Sequence, residues 1–136
     1  MTNNTLTSFA RIHLPNTITI AKFIVDYVIN SQSRQRLQTG QLHITAGRAD
    51  SGTNSVAAIT SVYSQAIQMS GAETLTVTFS ISGVGGANTT EQTFDAQVTA
   101  NSSAGSAGHL QYAISHISDR FDGSLGEGQH AWVEPL

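Results

Sequence analysis

Alternation of apolar and polar residues in two neighbouring segments is the feature that most constrains the fold of this chain. The first segment runs from Thr17 to Ile29, and one of its faces is apolar: Ala21, Phe23, Val25, Tyr27 and Ile29. The second, Arg36 to Thr45, repeats the pattern with Leu42 and Ile44. A period of two is the signature of a half-buried β-strand, and Asn30-Ser31-Gln32-Ser33 between them has the composition of a turn. The sequence therefore predicts a β-hairpin with one face in the core.

Two parts of the chain have a less regular pattern. Ile18 and Ile20 fall on the opposite face of the first segment, which predicts either a β-bulge near Ala21-Lys22 or a strand start that is buried on both faces. Ser55 to Met69 contains Ala and Gln that allow a helix, and its apolar residues fit neither the helical nor the strand period. We predict a strand there, from Val56 to Val62.

Further strands are predicted downstream by the same alternation. Leu75 to Ile81 and Thr90 to Thr99 flank the glycine-rich Gly83 to Asn88 and form a second hairpin, and Leu110 to Ile114 adds one more strand. Together these segments predict an all-β fold, an antiparallel β-sandwich of about seven strands. We expect it to span 17–117, with an extended N-terminal arm at 1–16 and an extended C-terminal arm at 118–136.

Charged residues are scarce and limit the expected partners. They make up 11% of the chain, which has six Lys and Arg residues and a formal net charge of −3. Because phosphate binding needs a concentrated basic face, we expect no nucleic acid partner. No apolar run reaches the roughly 18 residues that cross a bilayer, and Met1 to Thr7 lacks the pattern of a signal peptide. We therefore expect no membrane partner and synthesis in the cytoplasm.

No residue pattern indicates a catalytic, cofactor or metal site. The five histidines are scattered, the chain has no cysteine, and no Gly-x-Ser-x-Gly elbow is present. Gly83 to Asn88 lacks the Gly-Lys-Ser/Thr ending of a phosphate loop. The densest acidic cluster, Asp119 to Glu127, lacks EF-hand spacing and is interpreted as a turn, with an ion at Asp119 and Asp122 as the open alternative. The expectation is a protein without enzymatic activity, cofactor or metal.

Both ends of the chain place apolar residues in polar surroundings. Ends of this kind fray unless something holds them, so we infer that they are held by the domain itself or by neighbouring subunits. Trp132 is the strongest candidate for a contact, because a large amphipathic ring in an irregular segment is typical of an interface anchor. The candidate subunit-contact residues are Phe9, Arg11, Ile12, Leu14, Phe121, Trp132, Val133 and Leu136.

The first hairpin and the strands after it carry a family resemblance. Asp26-Tyr27-Val28-Ile29, followed by Arg34 and Thr39-Gly40-Gln41-Leu42, resembles a hairpin of small β-sandwich domains in tail fibres and other virion proteins of tailed phages. The later segments that are similar to this family are Ser61-Val62-Tyr63-Ser64, Gly71 to Ser80 and Leu110-Gln111-Tyr112, so that the match spans Phe23 to Ser115. The resemblance implies a non-enzymatic structural protein of the virion, in a homo-oligomer and with other virion proteins as partners.

Two roles within a virion follow from the resemblance. In that family the domain is usually a terminal module of a longer protein. A copy that starts at Met1 and has arms on both sides implies a capsid cement or decoration protein, which stabilises the shell by clamping its neighbours in the major capsid protein layer. The alternative is a tail or tail-fibre module that binds a receptor or carbohydrate, with Tyr63 or Trp132 as exposed contacts.

Overall fold

The structure, a computed structural model, describes residues 5–15, 19–49, 54–83, 91–104, 107–120 and 131–136. This part of the chain forms eight strands and no helix: β1 Thr7–Pro15, β2 Thr19–Ser31, β3 Arg36–Arg48, β4 Ser55–Gln68, β5 Leu75–Ile81, β6 Glu91–Ser102, β7 Ala107–Arg120 and β8 Trp132–Pro135. Two antiparallel sheets pack face to face, sheet A in the order β5-β6-β1-β8 and sheet B in the order β4-β3-β2-β7. The predicted β-sandwich is therefore confirmed.

The predicted first hairpin is the centre of sheet B. β2 and β3 pair without interruption from Thr19↔Arg48 to Asn30↔Leu37, so the bulge expected near Ala21-Lys22 is not there. The five inward residues predicted for β2 are at most 4% exposed. Ile20 is 52% exposed, so the start of β2 is buried on one face only. The turn ends in Arg34, which has a positive φ of 58° and donates its backbone N–H to the carbonyl oxygen of Ser31 at 2.9 Å.

Aromatic side chains link the two sheets in the core. Phe9 of sheet A packs edge-to-face on Tyr112 of sheet B at a centroid distance of 5.1 Å, and Tyr27 packs in the same way on Phe79 at 4.8 Å. The Tyr112 hydroxyl donates a hydrogen bond of 2.7 Å to the carbonyl oxygen of Phe9. Burial raises the pKa of Tyr112, because the ionised phenol would lose hydration there. This cluster therefore fixes the packing of sheet A on sheet B.

The segment that we expected to be an N-terminal arm is, over Thr7–Pro15, a strand inside the sandwich. β1 lies between β6 and β8 and pairs with both, and Ile12 and Leu14 are 1% and 0% exposed. Arg11 and His13 alternate with the apolar Ala10, Ile12 and Leu14, and the neighbouring strands supply carboxylates for both of them. These carboxylates lie 78 to 121 residues away along the chain, so the local sequence does not reveal the partners of Arg11 and His13.

The segment that we expected to be a C-terminal arm begins and ends in strands. β7 continues to Arg120, and Trp132–Pro135 forms β8, which pairs with β1 from His13↔Trp132 to Ala10↔Pro135. Residues 121–130, including the contact candidate Phe121, lie outside the described residues. In its described part, this segment is therefore held by the sandwich of its own chain.

Candidate interaction surface

The largest group of exposed apolar side chains lies on β4, the strand at one edge of sheet B. β4 has 14 residues and pairs with β3 from Arg36↔Gln68 to Arg48↔Ser55, and with no other strand in the described part of the chain. The large apolar residues on β4 and directly after it are 47–64% exposed: Val56, Val62, Tyr63, Ile67 and Met69. We call Ser55–Gln68 the β4 edge.

The two halves of the β4 edge differ in how the sandwich covers them. Ala57 and Ile59 pack against the core, and a register shift follows at Thr60. Beyond it, every residue from Ser61 to Gln68 is exposed. Val62 is 53% exposed although it pairs with the fully buried Leu42 and so points to the inner face of sheet B. The second half of the β4 edge therefore extends beyond the cover of sheet A and is open on both faces.

A glycine allows β4 to approach β3 closely. Gly40 pairs with Ser64 of β4 and with Tyr27 of β2. A Cβ atom added to Gly40 would lie 1.9 Å from the carbonyl oxygen of Tyr63, which is far inside van der Waals contact. Any other residue at position 40 would push β4 away, so Gly40 sets the position of the open half of the β4 edge.

A buried carboxylate fixes the end of β4 and the connection to β5. Glu73 is 7% exposed and accepts hydrogen bonds from the hydroxyls of Ser102 at 2.6 Å and Ser31 at 2.9 Å. The Ser102 hydrogen bond is the main cause that holds the pKa of Glu73 below its ordinary value, and the Ser33 backbone N–H and the Ser31 hydroxyl add to it against the effect of burial. Glu73 thus ties the β2–β3 turn and the end of β6 to this connection.

The β4 edge carries no charged or titratable group apart from Tyr63. The opposite edge of the same sheet, β7, also has 14 residues and contains His109, His116, Asp119 and Arg120. Charged residues on edge strands are a common protection against pairing with other chains. The β4 edge is equally long, carries exposed apolar side chains and lacks this protection.

A second exposed aromatic ring lies at the edge of sheet A. The Trp132 indole is 43% exposed and stacks on the His13 imidazole, with a centroid distance of 3.7 Å and an interplanar angle of 2°. His13 is held on both sides, since its Nδ1 lies 2.7 Å from Oε1 of Glu91 and its Nε2 lies 2.8 Å from Oε1 of Glu134. The arrangement presents one face of a rigidly held indole, which suits contact with another chain.

The N-terminal contact candidates divide into core and surface residues. Phe9, Ile12 and Leu14 are 5%, 1% and 0% exposed and belong to the core of their own chain, so they are not available to neighbouring subunits. Arg11 stays at the surface, where its guanidinium bonds both carboxylate oxygens of Asp95 at 2.8 and 3.2 Å. This hydrogen-bonded pair raises the pKa of Arg11 and lowers that of Asp95.

The C-terminal contact candidates are mostly accessible. Trp132 and Leu136 are 43% and 56% exposed, whereas Val133 is half-buried and packs against the core. The backbone N–H of Leu136 donates to the carbonyl oxygen of Phe9 at 3.0 Å, which holds the end of the chain beside β1. Phe121 lies outside the described residues. Trp132 and Leu136 therefore remain candidates for contact with a neighbour.

Sequence reasoning did not identify β4 as a contact surface. It predicted a shorter strand, Val56 to Val62, and named only Tyr63 from this region, as a possible glycan contact. A usable signal was present, because no charged residue occurs from Ser51 to Ala72 and large apolar residues fall on both faces of the strand. In a sequence that is otherwise polar, an uncharged strand with apolar residues on both faces is typical of an edge that another chain covers.

The described residues hold neither a group of three or more His, Cys, Asp or Glu placed to bind a metal ion nor a helix long and apolar enough to span a membrane. Comparison with protein-family models, with curated protein sequences and with solved structures found no match to this chain.

Proposed function

We propose that the protein is a non-enzymatic structural subunit of a phage virion, a capsid cement or decoration protein, that binds neighbouring chains through the β4 edge. One observation carries the binding role, namely a long strand edge with exposed apolar side chains on both faces and no charge. A free edge recruits a further strand through main-chain hydrogen bonds, and apolar burial adds about 25 cal/mol per Å². Both contributions are available at the β4 edge.

The virion context rests on the resemblance of the first hairpin to small domains of tailed-phage proteins. A neutral, hydrogen-bonding exterior also suits a protein that packs in many copies against other proteins. The proposal places the contacts on the β4 edge and on Trp132, because Phe9, Ile12 and Leu14 of the expected N-terminal arm are buried. Repetition over a particle then reinforces contacts that are individually weak.

Immunogold labelling tests the location. Antibodies raised against the purified protein are applied to purified particles of the phage that encodes it, and gold counts on shell, tail and fibre are compared. Labelling distributed over the shell is the expected result. Labelling confined to the tail tip would favour the tail alternative, and unlabelled, intact particles would remove the virion role altogether.

A matched pair of variants tests the surface. Ile67→Lys places a charge on the β4 edge, where residue 67 is 47% exposed, and Ile20→Lys places the same charge on β2, two strands away, at 52% exposure. Both substitutions are at the surface, so we expect melting temperatures close to that of the unmodified protein. In co-sedimentation with particles, Ile67→Lys should lose binding and Ile20→Lys should keep it. Equal binding by both variants would exclude the β4 edge as the contact.

Binding of carbohydrate is a second function with one observation in its favour. The Tyr63 ring is 64% exposed on the outer face of sheet B and lies opposite Gln41, whose amide donates to Asp26 at 2.9 Å. An exposed ring beside amide and carboxylate groups is a chemistry that stacks on and hydrogen-bonds a sugar. A glycan array probed with the protein and with Tyr63→Ala tests it, since binding that persists without the ring would not come from this site.

A further inference from the structure

We propose that the β4 edge pairs antiparallel with the β4 edge of a second copy of this chain. The inference rests on the proposed function, because it names a partner for the same surface. Joined in this way, two copies of sheet B form a continuous sheet with the strand order β7-β2-β3-β4-β4-β3-β2-β7. Such a contact uses the same surface on both copies, so it closes as a twofold dimer and does not grow into a filament.

The first argument for a second copy is electrostatic. Like charges directly opposite each other destabilise an antiparallel pair, and a strand that pairs with its own copy brings together the identical charges beside its twofold axis. Ser55–Gln68 contains no Asp, Glu, Lys, Arg or His, whereas β7 at the other edge includes His109, Asp119 and Arg120. β4 can therefore meet itself in any register without repulsion between charges.

The second argument is the match of side chains in one register. Directly opposite residues of antiparallel strands lie on the same face of the sheet. In a strand paired with its own copy, opposite residues are therefore an even number of positions apart, and the twofold axis passes through the residue midway between them. With Gln65 on the axis, Tyr63 lies opposite Ile67 of the second copy on the outer face, and Ser64 lies opposite Ala66 on the inner face. The register thus places an aromatic ring against a β-branched side chain on both sides of the axis, a combination that stabilises sheets.

The open half of the β4 edge sets the size of the contact. Ser61–Gln68 has no cover on either face, and eight residues at a rise of about 3.4 Å make a strip about 27 Å long. A strip of this length and about 10 Å width buries about 300 Å² per copy, below the roughly 800 Å² of a standard interface. We therefore expect a weak dimer in dilute solution that forms fully when assembly raises the local concentration.

Cysteine cross-linking tests the pairing directly, because the chain has no cysteine of its own. Gln65→Cys places a thiol on the twofold axis, where opposite Cβ atoms are about 4.5–5.5 Å apart, close to the distance in a disulfide. Gln41→Cys on β3 and Gln111→Cys on the β7 edge are matched controls, since all three glutamines are exposed. Under mild oxidation at micromolar concentration, Gln65→Cys should give several-fold more covalent dimer than either control.

The remaining outcomes separate this inference from the proposed function. Adding Ile67→Lys to Gln65→Cys should abolish the dimer, and equal cross-linking of all three cysteine variants, or preferential cross-linking at position 111, would overturn the pairing. If Gln65→Cys stays monomeric while Ile67→Lys still loses particle binding, the self-pairing is overturned and the β4 edge binds another virion protein. If Gln65→Cys dimerises but the particles carry no gold label, the pairing is supported and the virion role fails.

Discussion

Replacing Leu14 by alanine distinguishes a core strand from an arm at the N-terminus. Leu14 is 0% exposed and lies in β1 opposite Gln92 of β6. The substitution removes three carbon atoms, which at about 0.8 kcal/mol for each buried methylene is about 2.4 kcal/mol, and the cavity left behind adds to the loss. We expect the free energy of unfolding to fall by about 3 kcal/mol, and the melting temperature by about 12 °C for a domain of this size.

Leu6→Ala is the matched control, because Leu6 belongs to the same N-terminal segment and is 54% exposed just before β1. It should change the free energy of unfolding by less than about 0.5 kcal/mol. Urea unfolding followed by far-ultraviolet circular dichroism and by Trp132 fluorescence gives both values, and coincident transitions support a two-state treatment. If Leu14→Ala is as stable as Leu6→Ala in a monomeric sample, the N-terminal segment does not belong to the core and the reasoning is refuted.

Three further substitutions address single contacts. Gly40→Ala should lower the free energy of unfolding by about 1–3 kcal/mol, because the added Cβ overlaps the Tyr63 carbonyl oxygen. Gly83→Ala is the control and should leave the free energy of unfolding unchanged, because its Cβ meets nothing within 4 Å. Thermal melts compare the two variants. Arg34→Gly should raise the free energy of unfolding by about 0.5 kcal/mol, because glycine adopts the φ of 58° without strain. Urea unfolding measures this change. The pKa of Glu73 is lower in the folded state than its ordinary value of 4.5. The Glu73 carboxylate therefore contributes fully to the free energy of unfolding above pH 4.5, and this contribution is lost as the pH falls through the lower pKa of the folded state. The stability gap between the unmodified protein and Glu73→Gln should therefore narrow on acidification, and a gap independent of pH would contradict this assignment.

The sandwich could be predicted where one strand face is buried and the other is exposed. In β2 the apolar residues Phe23, Val25 and Tyr27 alternate with exposed or half-buried residues, so the pattern of the sequence is the pattern of burial. The same holds for β6, in which every second residue from Gln92 to Ser102 is buried. In both strands the local sequence contains the relevant information, because neighbours along the chain alternate between core and solvent.

β1 has the same alternation and was nevertheless missed: Ala10, Ile12 and Leu14 are buried on one face, and Arg11 and His13 lie between them. His13 is 7% exposed and satisfies both ring nitrogens with Glu91 and Glu134, which belong to two different strands. Arg11 depends on Asp95 in the same way. We expected an arm because polar residues and a proline flank the segment, although the alternation within it is that of a strand.

β4 was not predicted as a contact site, although the absence of charge from Ser51 to Ala72 was a usable signal. Its apolar residues lie on both faces, which local reasoning associates with a strand buried on both sides or with an irregular helix. Val62 and Tyr63 are both more than half exposed, so the pattern does not describe burial within this chain. Apolar residues on both faces of β4 are explained if another chain covers this strand in an assembly, and a partner chain leaves no trace in the local pattern of this sequence.

The hairpin motif and the candidate site are physically connected at Gly40. In the threonine-glycine-x-leucine sequence at 39–42, Leu42 fills the core, while the glycine makes room for the Tyr63 carbonyl oxygen. A side chain at position 40 would displace Tyr63 and Ser64, which belong to the open half of the β4 edge. The glycine of the motif is thus required by the strand that docks on the hairpin, and not by the turn of the hairpin itself. The same motif therefore shapes the core and positions the uncharged edge strand on which the proposed contact depends.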